Sequence, residues 1–362
     1  MMKRILHVLN GLGSGGAESF IMNVYRNIDR EKIQFDFLLR TSNNSSALIK
    51  EAEKLGANIY ILSSFPRHVF KNYLEVKAFF KNHKYEVIHV HANALIYITP
   101  LIIGRKYHVA KRILHSHSTN TRWGIFSNLI HYWNRNFVGA LANQYFACSN
   151  EAGKWMFKER NFLVLNNAID VERYVYNYEI RKSVREKLGI DDKIVFGHIG
   201  RFAQVKNHEF LLEVFKKIVE KKSNAILMLV GVGELLNQIK ECAKKLNLYQ
   251  KVLFMGERND VSDLLQAMDG FIFPSIYEGV PFTLIEAQAS GLPILASNTI
   301  SRNVKITDCI EFFPLNIEPV EWANKAISMV KEQKRRNTKD MIKDAHYDIN
   351  ETINKLMNCY NK

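Results

Sequence analysis

The sequence predicts an α/β protein made of two Rossmann-like, doubly wound parallel-sheet domains. Short apolar strand candidates alternate with longer amphipathic helical patterns along the chain, which is typical of parallel sheets covered by helices on both faces. There are twelve or more such strands, which suits two sheets better than one. Polar residues interrupt the alternation between Asn167 and Val184, and a chain of 362 residues is long enough for two cores.

The strand candidates fall into two series. The first series is Ile5–Leu9, Phe35–Leu39, Ile59–Leu62, Val87–His91, Ile113–His115, Tyr145–Cys148 and Phe162–Leu165. The second series is Ile194–Ile199, Ala225–Val230, Val252–Met255, Phe271–Phe273, Ile294–Ala296 and Ile310–Phe313. We therefore expect an amino-terminal domain over residues 1–167 and a second domain over residues 168–340. The remaining residues, 341–362, form a helical tail that could pack back on the first domain or stay on the second.

Cysteine usage and hydropathy favour a cytoplasmic protein. The four cysteines are far apart and form no Cys-x-x-Cys pair, which argues against a disulfide framework or structural zinc. The apolar run behind Lys3 and Arg4 is too short for a signal peptide, and the stretch from Ala94 to Gly104 is too short to span a bilayer.

Positive charge is concentrated in the first half. The whole chain has a net charge of +14, and residues 1–167 hold 22 Lys and Arg against 10 Asp and Glu. A basic half implies an anionic partner, either a phosphorylated substrate or an acidic membrane surface. Nucleic acid is the weakest alternative, because the sequence holds no recognised DNA- or RNA-binding motif.

Two glutamates lie eight positions apart across a predicted strand-to-helix junction. Glu278 follows the apolar strand candidate, and Glu286 lies in the helix after it, amid apolar neighbours. Pro281 suits the first turn of that helix. A half-buried carboxylate at the mouth of an α/β sheet needs a partner, and a sugar or ribose diol provides two hydroxyl donors. The alternative is a solvated helix glutamate.

A glycine-rich loop, Gly11 to Gly16, follows the first strand and opens a helix near Ala17. Its N–H groups and the helix N-terminus suit a phosphate. The loop contains Gly-x-Gly-x-x-Gly, so a nicotinamide oxidoreductase must be considered. Such an enzyme would place an acidic residue at the end of the second strand, where this chain has Arg40, with Asp36 near the strand's start.

A second phosphate loop runs from Gly200 to Asn207, after the strand Ile194–Ile199. Arg201 and Lys206 lie in this loop, where two fixed cations would stabilise a diphosphate that gains charge as it leaves. The glycine turn at Gly231–Glu234 ends the next strand and offers further backbone contacts.

Two histidine pairs end neighbouring strand candidates, His89 with His91 and His115 with His117. Alternation places each pair on one face of its strand, so four imidazoles could cluster and hold a transition metal. No carboxylate stands at a matching spacing. We therefore favour His117 as a hydrogen-bond partner of a substrate hydroxyl and packing roles for the others.

Two aromatic, basic segments could lie on an anionic membrane. They are residues 66–84, with Phe70, Tyr73 and several lysines, and residues 121–142, with Trp123, Trp133 and Arg122. Helices that face the core are the commoner explanation of such patterns.

The chain resembles the family 4 retaining glycosyltransferases of bacterial capsule and exopolysaccharide synthesis, which have the two-domain GT-B fold with a cleft between facing domains. The resemblance covers nearly the whole chain and rests on four motifs in order. They are Gly-Gly-Ala-Glu at Gly15–Glu18, His117, Gly-Arg-x-x-x-x-Lys at Gly200–Lys206, and the Glu-x7-Glu element at Glu278 and Glu286.

The resemblance implies a role for each motif. Arg201 and Lys206 would hold the donor diphosphate, and Glu286 the ribose. Glu278 would face the donor sugar near its reacting carbon. Gly15 and Gly16 would close over the phosphates, His117 would contact the sugar, and Glu18 the sugar or acceptor. Backbone amides of one further segment would assist Glu278, and its residues are Gly279, Val280, Pro281 and Phe282.

By the same resemblance the chain is a cytoplasmic hexosyltransferase, peripheral on the inner face of the cell membrane. It would move a sugar, with retention, from a nucleotide sugar, for which the family preference is a UDP-sugar, to a lipid-linked or saccharide acceptor. No Asp-x-Asp occurs, so we expect no metal and no other cofactor. A double displacement through Glu278 competes with front-face attack. The alternatives in other classes are an NAD(P)-dependent oxidoreductase using Gly11–Gly16 and a non-catalytic nucleotide-sugar-binding protein.

Overall fold

The computed structural model describes residues 2–13, 15–41, 46–119 and 124–361. They divide into two compact units. The first unit is Met1–Ala168 with Ile349–Lys362, and the second is Ile169–Asp348.

The first unit alternates strands and helices from its start. Its elements are β1 (Lys3–Leu9), α1 (Gly16–Asn27), β2 (Ile33–Leu39), α2 (Ala47–Lys54), β3 (Ile59–Ile61), α3 (Val69–Asn82), β4 (Val87–Ala92), α4 (Thr99–Lys106), β5 (Lys111–Ser116), α5 (Gly124–Leu141), β6 (Gln144–Ala147), α6 (Asn150–Phe157) and β7 (Leu163–Val164). The strands form one parallel sheet in the order β3-β2-β1-β4-β5-β6-β7.

The second unit repeats this plan. Its elements are α7 (Val171–Tyr174), α8 (Tyr178–Leu188), β8 (Ile194–Ile199), α9 (His208–Lys221), β9 (Ala225–Val230), α10 (Leu236–Lys245), β10 (Val252–Gly256), α11 (Val261–Ala267), β11 (Gly270–Phe273), α12 (Phe282–Ala289), β12 (Ile294–Ser297), β13 (Ile310–Phe313), α13 (Pro319–Glu332) and α14 (Lys339–Asp344). The parallel sheet has the order β10-β9-β8-β11-β12-β13. The two sheets confirm the predicted fold class of doubly wound parallel-sheet units.

The last helix, α15 (Ile349–Asn361), belongs to the first unit and packs on α1. Its buried Tyr360 donates a hydrogen bond to, or accepts one from, His89 Nδ1 at 2.8 Å. Lys3 and Lys111 donate to the backbone carbonyl of Tyr360. Two cations at the carboxyl end of a helix satisfy its free carbonyls and oppose its dipole, so these contacts hold α15 on the sheet.

The strand order creates one switch point in each sheet. In the first unit β1 and β4 are neighbours, and the strands that follow β1 extend the sheet toward one edge whereas those that follow β4 extend it toward the other. In the second unit β8 and β11 have the same relation. Ligands of open α/β sheets bind outside the carboxyl ends of the strands at such a point. The loops that follow these four strands are therefore the candidate binding loops.

The two aromatic helices of the first unit leave many apolar side chains exposed, although α3 also buries Val76, Phe79 and Phe80 in the core. On α5 only His131 and Val138 are buried among the described residues, whereas Phe126 is 82% exposed and Trp133 is 68% exposed. On α3, Phe70 is 86% exposed. The expectation that these helices face the core is therefore wrong for these side chains. Trp123 and Arg122 lie outside the described residues.

No helix in the described ranges is both long enough and apolar enough to cross a bilayer.

Candidate functional site

The switch point of the second unit joins the loops after β8 and β11. The loop after β8 ends in a 3₁₀ turn, Gln204–Lys206, and the loop after β11 runs from Pro274 to Pro281. The Ile276 N–H donates to the Val205 carbonyl at 2.8 Å, so the backbone ties the two loops together. This is where Lys206 and Glu278 meet.

Lys206 Nζ lies 2.8 Å from Glu278 Oε1. The two side chains are only 13% and 21% exposed, so solvent screens this ion pair less than a surface pair. The ammonium also stands 4.7 Å from the centre of the Phe273 ring, which adds a cation–π contact. The sequence motifs that hold Lys206 and Glu278 therefore converge on a rigid, polar point at the carboxyl edge of the sheet.

Arg201 does not join the Lys206–Glu278 pair. Its guanidinium pairs with Glu234 at 3.0 Å, and the two side chains are 61% and 54% exposed. The turn that carries Glu234 approaches closely, because a Cβ on Gly231, which has φ of +139°, would collide with the Gly200 carbonyl. Arg201 thus stands at an open rim formed by the loops after β8 and β9, and the contact it makes is with Glu234 rather than with Glu278.

Glu286 lies on α12 with a half-buried side chain. The Tyr174 hydroxyl donates to Glu286 Oε1 at 2.9 Å, and this contact joins α12 to α7. A tyrosine that engages one carboxylate oxygen restricts the rotamers of the glutamate.

The segment from Gly279 to Phe282 leads into α12. Pro281 is the residue before the helix rather than a member of its first turn, and α12 begins at Phe282. A Cβ on Gly279 would meet no atom within 4 Å, so the backbone here is open. Ser275 Oγ and Thr283 Oγ1 are buried and find no hydrogen-bond partner among the described residues. Free N–H groups at the start of a helix favour negative charge, and they lie next to Glu278 in the chain.

In the first unit the glycine-rich loop follows β1 and ends in α1, whose N-cap residue is Gly15. Gly15 makes no side-chain cap, and a Cβ on Gly16 would meet no atom within 4 Å. The N-terminus of α1 therefore has no capping side chain at Gly15.

Glu18 turns back toward the start of its own helix. A Cβ on Gly15 would collide with the Glu18 carboxylate, so alanine is not tolerated there without moving Glu18. Burial raises the pKa of Glu18, and the hydrogen bond from its own backbone N–H opposes this shift in part. A carboxylate at the positive end of α1 occupies the place where an anionic ligand would bind.

The predicted histidine pairs do cluster, and a fifth imidazole, His7 on β1, joins them. The strand registers place His7 beside His89, and His91 beside His115. His117 lies just after β5, with its Nε2 2.9 Å from His91 Nδ1. Burial lowers the pKa of His7 and of His117 to about 3, so both rings are neutral near pH 7.

Four contact residues were missed from the sequence: His7, Phe273, Tyr174 and Tyr360. Strand alternation would have placed His7 on the histidine-lined face, because β1 is the direct neighbour of β4 in the sheet. Phe273 is the last residue of the strand before the Glu278 loop. Tyr174 and Tyr360 come from helices distant in sequence, and no local pattern signals their contacts.

An open depression of about 690 Å³ lies elsewhere on the second unit. Its lining includes the carboxylates Glu172, Glu257, Asp260 and Asp263, and it includes none of the predicted donor residues. Because Lys206 and Glu278 do not line it, the donor phosphates are not assigned to this depression.

Asp36, the acidic residue of the second strand, is not available to bind a nicotinamide cofactor. Asp36 lies in the middle of β2, is fully buried, and accepts hydrogen bonds from Arg4 Nε at 2.7 Å and from the Tyr85 hydroxyl at 2.8 Å. Burial raises the pKa of Asp36, but the Arg4, Asn58 and Tyr85 hydrogen bonds outweigh it and lower the pKa overall. This carboxylate serves the sheet and not a ribose.

Family comparisons agree with this geometry. The family described as "Glycosyltransferase Family 4" matches residues 14–173, and the one described as "Glycosyl transferases group 1" matches residues 180–346. The first segment includes Gly15 and Gly16 at the end of the glycine-rich loop, and the second includes the Lys206–Glu278 pair.

Relatives match over most of the chain. The "Putative glycosyltransferase EpsF" of Bacillus subtilis (strain 168) is 33% identical over 99% of this chain and 96% of its own length. The "UDP-Gal:alpha-D-GlcNAc-diphosphoundecaprenol alpha-1,3-galactosyltransferase" of Escherichia coli is 25% identical over 80% of this chain and 79% of its own.

A solved structure shares the fold. Anabaena Alr3699/HepE, crystallised in complex with UDP and glucose, has a TM-score of 0.74 over 99% of both chains at 18% identity. The chain therefore belongs to the family 4 type of glycosyltransferase, which has the GT-B fold.

Proposed function

We propose that this glycosyltransferase moves a hexosyl group, with retention and without a metal ion, from a UDP-sugar to a lipid-linked saccharide in capsule or exopolysaccharide synthesis. The observation that carries the proposal is the Lys206–Glu278 pair at the switch point of the second unit. It places a shielded cation and a carboxylate where a nucleotide sugar would present its diphosphate and its sugar.

The leaving diphosphate needs positive charge. Lys206 would donate a hydrogen bond to one phosphate oxygen, and Glu278 would leave Lys206 to contact the sugar. Arg201 at the rim would break its ion pair with Glu234 and bind the diphosphate instead. Backbone N–H groups of the segment from Gly279 to Phe282, in which Pro281 has none to donate, would add hydrogen bonds as charge develops. Preorganised donors of this kind each supply roughly 2.7–4 kcal/mol of barrier lowering.

The nucleoside would be held by Glu286, whose carboxylate would accept hydrogen bonds from the ribose hydroxyls. The start of α1 at Gly15 and Gly16 would receive phosphate once the Glu18 carboxylate turns away from it. His117 would contact the sugar, and Glu18 would contact the acceptor or the sugar.

The proposed reaction is a front-face substitution. The acceptor oxygen bonds to the anomeric carbon on the face from which the diphosphate oxygen departs, and the acceptor proton passes to the departing phosphate. The competing path attaches the sugar to Glu278 first. Mass spectrometry of the enzyme trapped with donor separates the two paths. We expect an unmodified Glu278, and a glycosylated Glu278 would overturn front-face attack.

The donor and acceptor classes rest on the relatives. The Anabaena neighbour was crystallised with UDP and glucose, and the name of the Escherichia coli relative specifies a UDP-galactose donor and a diphosphoundecaprenol acceptor. A Staphylococcus aureus relative, 24% identical over 99% of this chain, is named as a capsular polysaccharide biosynthesis glycosyltransferase. These names support a UDP-sugar, a lipid-linked acceptor and a polysaccharide pathway.

A lipid-linked acceptor requires contact with a membrane, and we propose that α5 and α3 provide it on the cytoplasmic face. Apolar side chains at least 40% exposed on these helices are Val69, Phe70, Tyr73, Leu74, Ile125, Phe126, Leu129, Ile130, Tyr132, Trp133 and Phe137. The exposed lysines Lys71, Lys77 and Lys81 on α3 complement anionic lipid.

Vesicle co-sedimentation tests this attachment. Phe126→Glu with Trp133→Glu is expected to release the protein from phosphatidylglycerol vesicles. Met341→Glu, at an apolar side chain that is 42% exposed on the second unit, is the matched control and should bind as the native protein does. Equal binding by all three proteins would contradict the assignment.

Isothermal titration with UDP-, GDP- and ADP-sugars tests the donor site. We expect a UDP-sugar to bind, and Glu286→Gln to weaken binding roughly tenfold, as expected for a lost charge-assisted hydrogen bond. Unchanged affinity of Glu286→Gln would contradict the ribose contact.

A further inference from the structure

Five histidines line one face of the first sheet. This histidine cluster consists of His7, His89, His91, His115 and His117. The helices α1 and α15 cover it, through Phe20 stacking edge-on against His115 and through Tyr360. His7, His89 and His115 are fully buried.

The rings form two hydrogen-bonded rows. In the first row His7 Nδ1 lies 3.0 Å from His91 Nε2, and His91 Nδ1 lies 2.9 Å from His117 Nε2. In the second row His115 Nδ1 lies 3.2 Å from His89 Nε2, and His89 Nδ1 lies 2.8 Å from the Tyr360 hydroxyl.

Every ring in these rows is neutral near pH 7, because burial lowers the pKa of each. A neutral imidazole carries one N–H and one bare nitrogen. Each hydrogen bond in a row therefore has one donor, and the direction of one bond determines the direction of the next.

The first histidine of each row, His7 or His115, determines that direction. His7 Nε2 and His115 Nε2 are buried and have no hydrogen-bond partner among the described residues. A buried N–H without an acceptor is rarer than an unsatisfied acceptor, so the bare nitrogen belongs at these two positions. His7 then carries its proton on Nδ1 and donates to His91.

His91 must in turn carry its proton on Nδ1 and donate to His117 Nε2. The proton of His117 is thereby left on Nδ1. The same count for the second row makes His115 the donor to His89, and His89 the donor to Tyr360. In each row the hydrogen bonds therefore point away from the first histidine, whose Nε2 is unprotonated. One row ends at His117 and the other at Tyr360.

We propose that His7 and His91 are positioning residues that hold His117 as its Nδ1–H tautomer, so that His117 donates one hydrogen bond to an oxygen of the donor sugar. The inference rests on the sugar contact of His117 in the proposed function. The relay selects the tautomer and ring orientation, much as an outer partner fixes a catalytic histidine.

A divalent metal is the competing use of the cluster. Ligand nitrogens of His7, His89 and His91, and those of His91, His115 and His117, lie within 4.8 Å of one another. Metal-bound histidines commonly pass their second N–H to a carboxylate or carbonyl. Here the hydrogen bonds of the ring nitrogens join other imidazoles and Tyr360. A buried double charge, in contrast, needs an anionic partner. The hydrogen-bonded rows are therefore favoured.

Long-range ¹H–¹⁵N NMR of the histidine-labelled protein without donor tests the relay, with resonances assigned by single substitutions. We expect the Nδ1–H tautomer for His117 in the native chain. His91→Leu should return His117 to the Nε2–H form, whereas His91→Asn, which keeps a donor near the position of Nδ1, should preserve the Nδ1–H form.

Kinetics provide the second readout. His91→Leu is expected to lower kcat/KM for the donor about tenfold, the effect of one misaligned hydrogen bond, and His91→Asn should restore most of it. Tyr360→Phe removes a hydroxyl from the second row and is the control that leaves both readouts unchanged.

Three results would overturn the relay. They are an Nε2–H tautomer of His117 in the native chain, a tautomer that is unaffected by His91→Leu, and one equivalent of Zn²⁺ bound by the native protein but not by His7→Leu. Because the NMR measurement needs no substrate, failure of the relay is distinguishable from failure of the proposed function, which would appear as a native protein that transfers no sugar.

Discussion

Lowering the pH should destabilise the first unit through its buried neutral histidines, and His7 allows the effect to be measured. Burial lowers the pKa of His7 to about 3 in the folded chain, against an ordinary value of 6.5. Below about pH 6.5 the unfolded chain therefore binds a proton at His7, whereas the folded chain does not. The stability contributed by neutral His7 is complete above the unfolded pKa and is lost as the pH falls toward about 3.

The magnitude follows from the two pKa values. Between about pH 7 and about pH 5.5, one such histidine removes about 1.2 kcal/mol from the free energy of unfolding. Burial lowers the pKa of the other four rings of the histidine cluster as well, so each of them destabilises the fold in the same direction on acidification.

Urea unfolding of the native chain and of His7→Leu at both pH values isolates the His7 contribution. The native chain should lose about 1.2 kcal/mol more than His7→Leu on acidification, whatever the variant costs at pH 7. Equal losses in the two proteins would show that His7 is protonated in the fold or reached by water, and would refute the reasoning.

Three further predictions concern the ion pairs and the metal. Lys206→Met, which keeps the apolar stem over Phe273, is expected to lower kcat about 10²–10³-fold. The control Lys217→Met, at an ion pair on α9, should leave kcat unchanged. Equal rates of the two variants would contradict the role of Lys206. Arg4→Met leaves the buried Asp36 carboxylate unpaired and should cost about 3–5 kcal/mol in urea unfolding, and a loss below about 1 kcal/mol would contradict the buried pair. EDTA is expected to leave sugar transfer within about twofold of its starting rate, and loss that Mg²⁺ or Mn²⁺ restores would contradict metal-free transfer.

The parallel sheets and the Lys206–Glu278 loops could be predicted from the sequence because their signals are local. Apolar runs of strand length between helical patterns predict doubly wound sheets. A lysine after one strand and a glutamate after another meet once both strands are neighbours at the switch point.

The remaining features depend on tertiary geometry. Arg201 pairs with Glu234 because Gly231 lets a second loop approach the Gly200 carbonyl, and no spacing rule expresses that approach. The aromatic side chains of α5 have the periodicity of a core helix, yet the fold leaves Phe126 and Trp133 in solvent. Hydrophobic pattern alone does not distinguish a core-facing helix from one that faces a lipid surface.

Sugar transfer by the Glu278→Gln variant tests the central claim most directly. The assay follows radiolabelled sugar from a UDP-sugar to a diphospholipid-linked saccharide, with donor affinity measured in parallel. The account predicts transfer by the native enzyme and a loss of at least about 100-fold in kcat for Glu278→Gln, with donor affinity changed by less than about tenfold. Native turnover in Glu278→Gln, or a folded native enzyme that binds no nucleotide sugar, would contradict it.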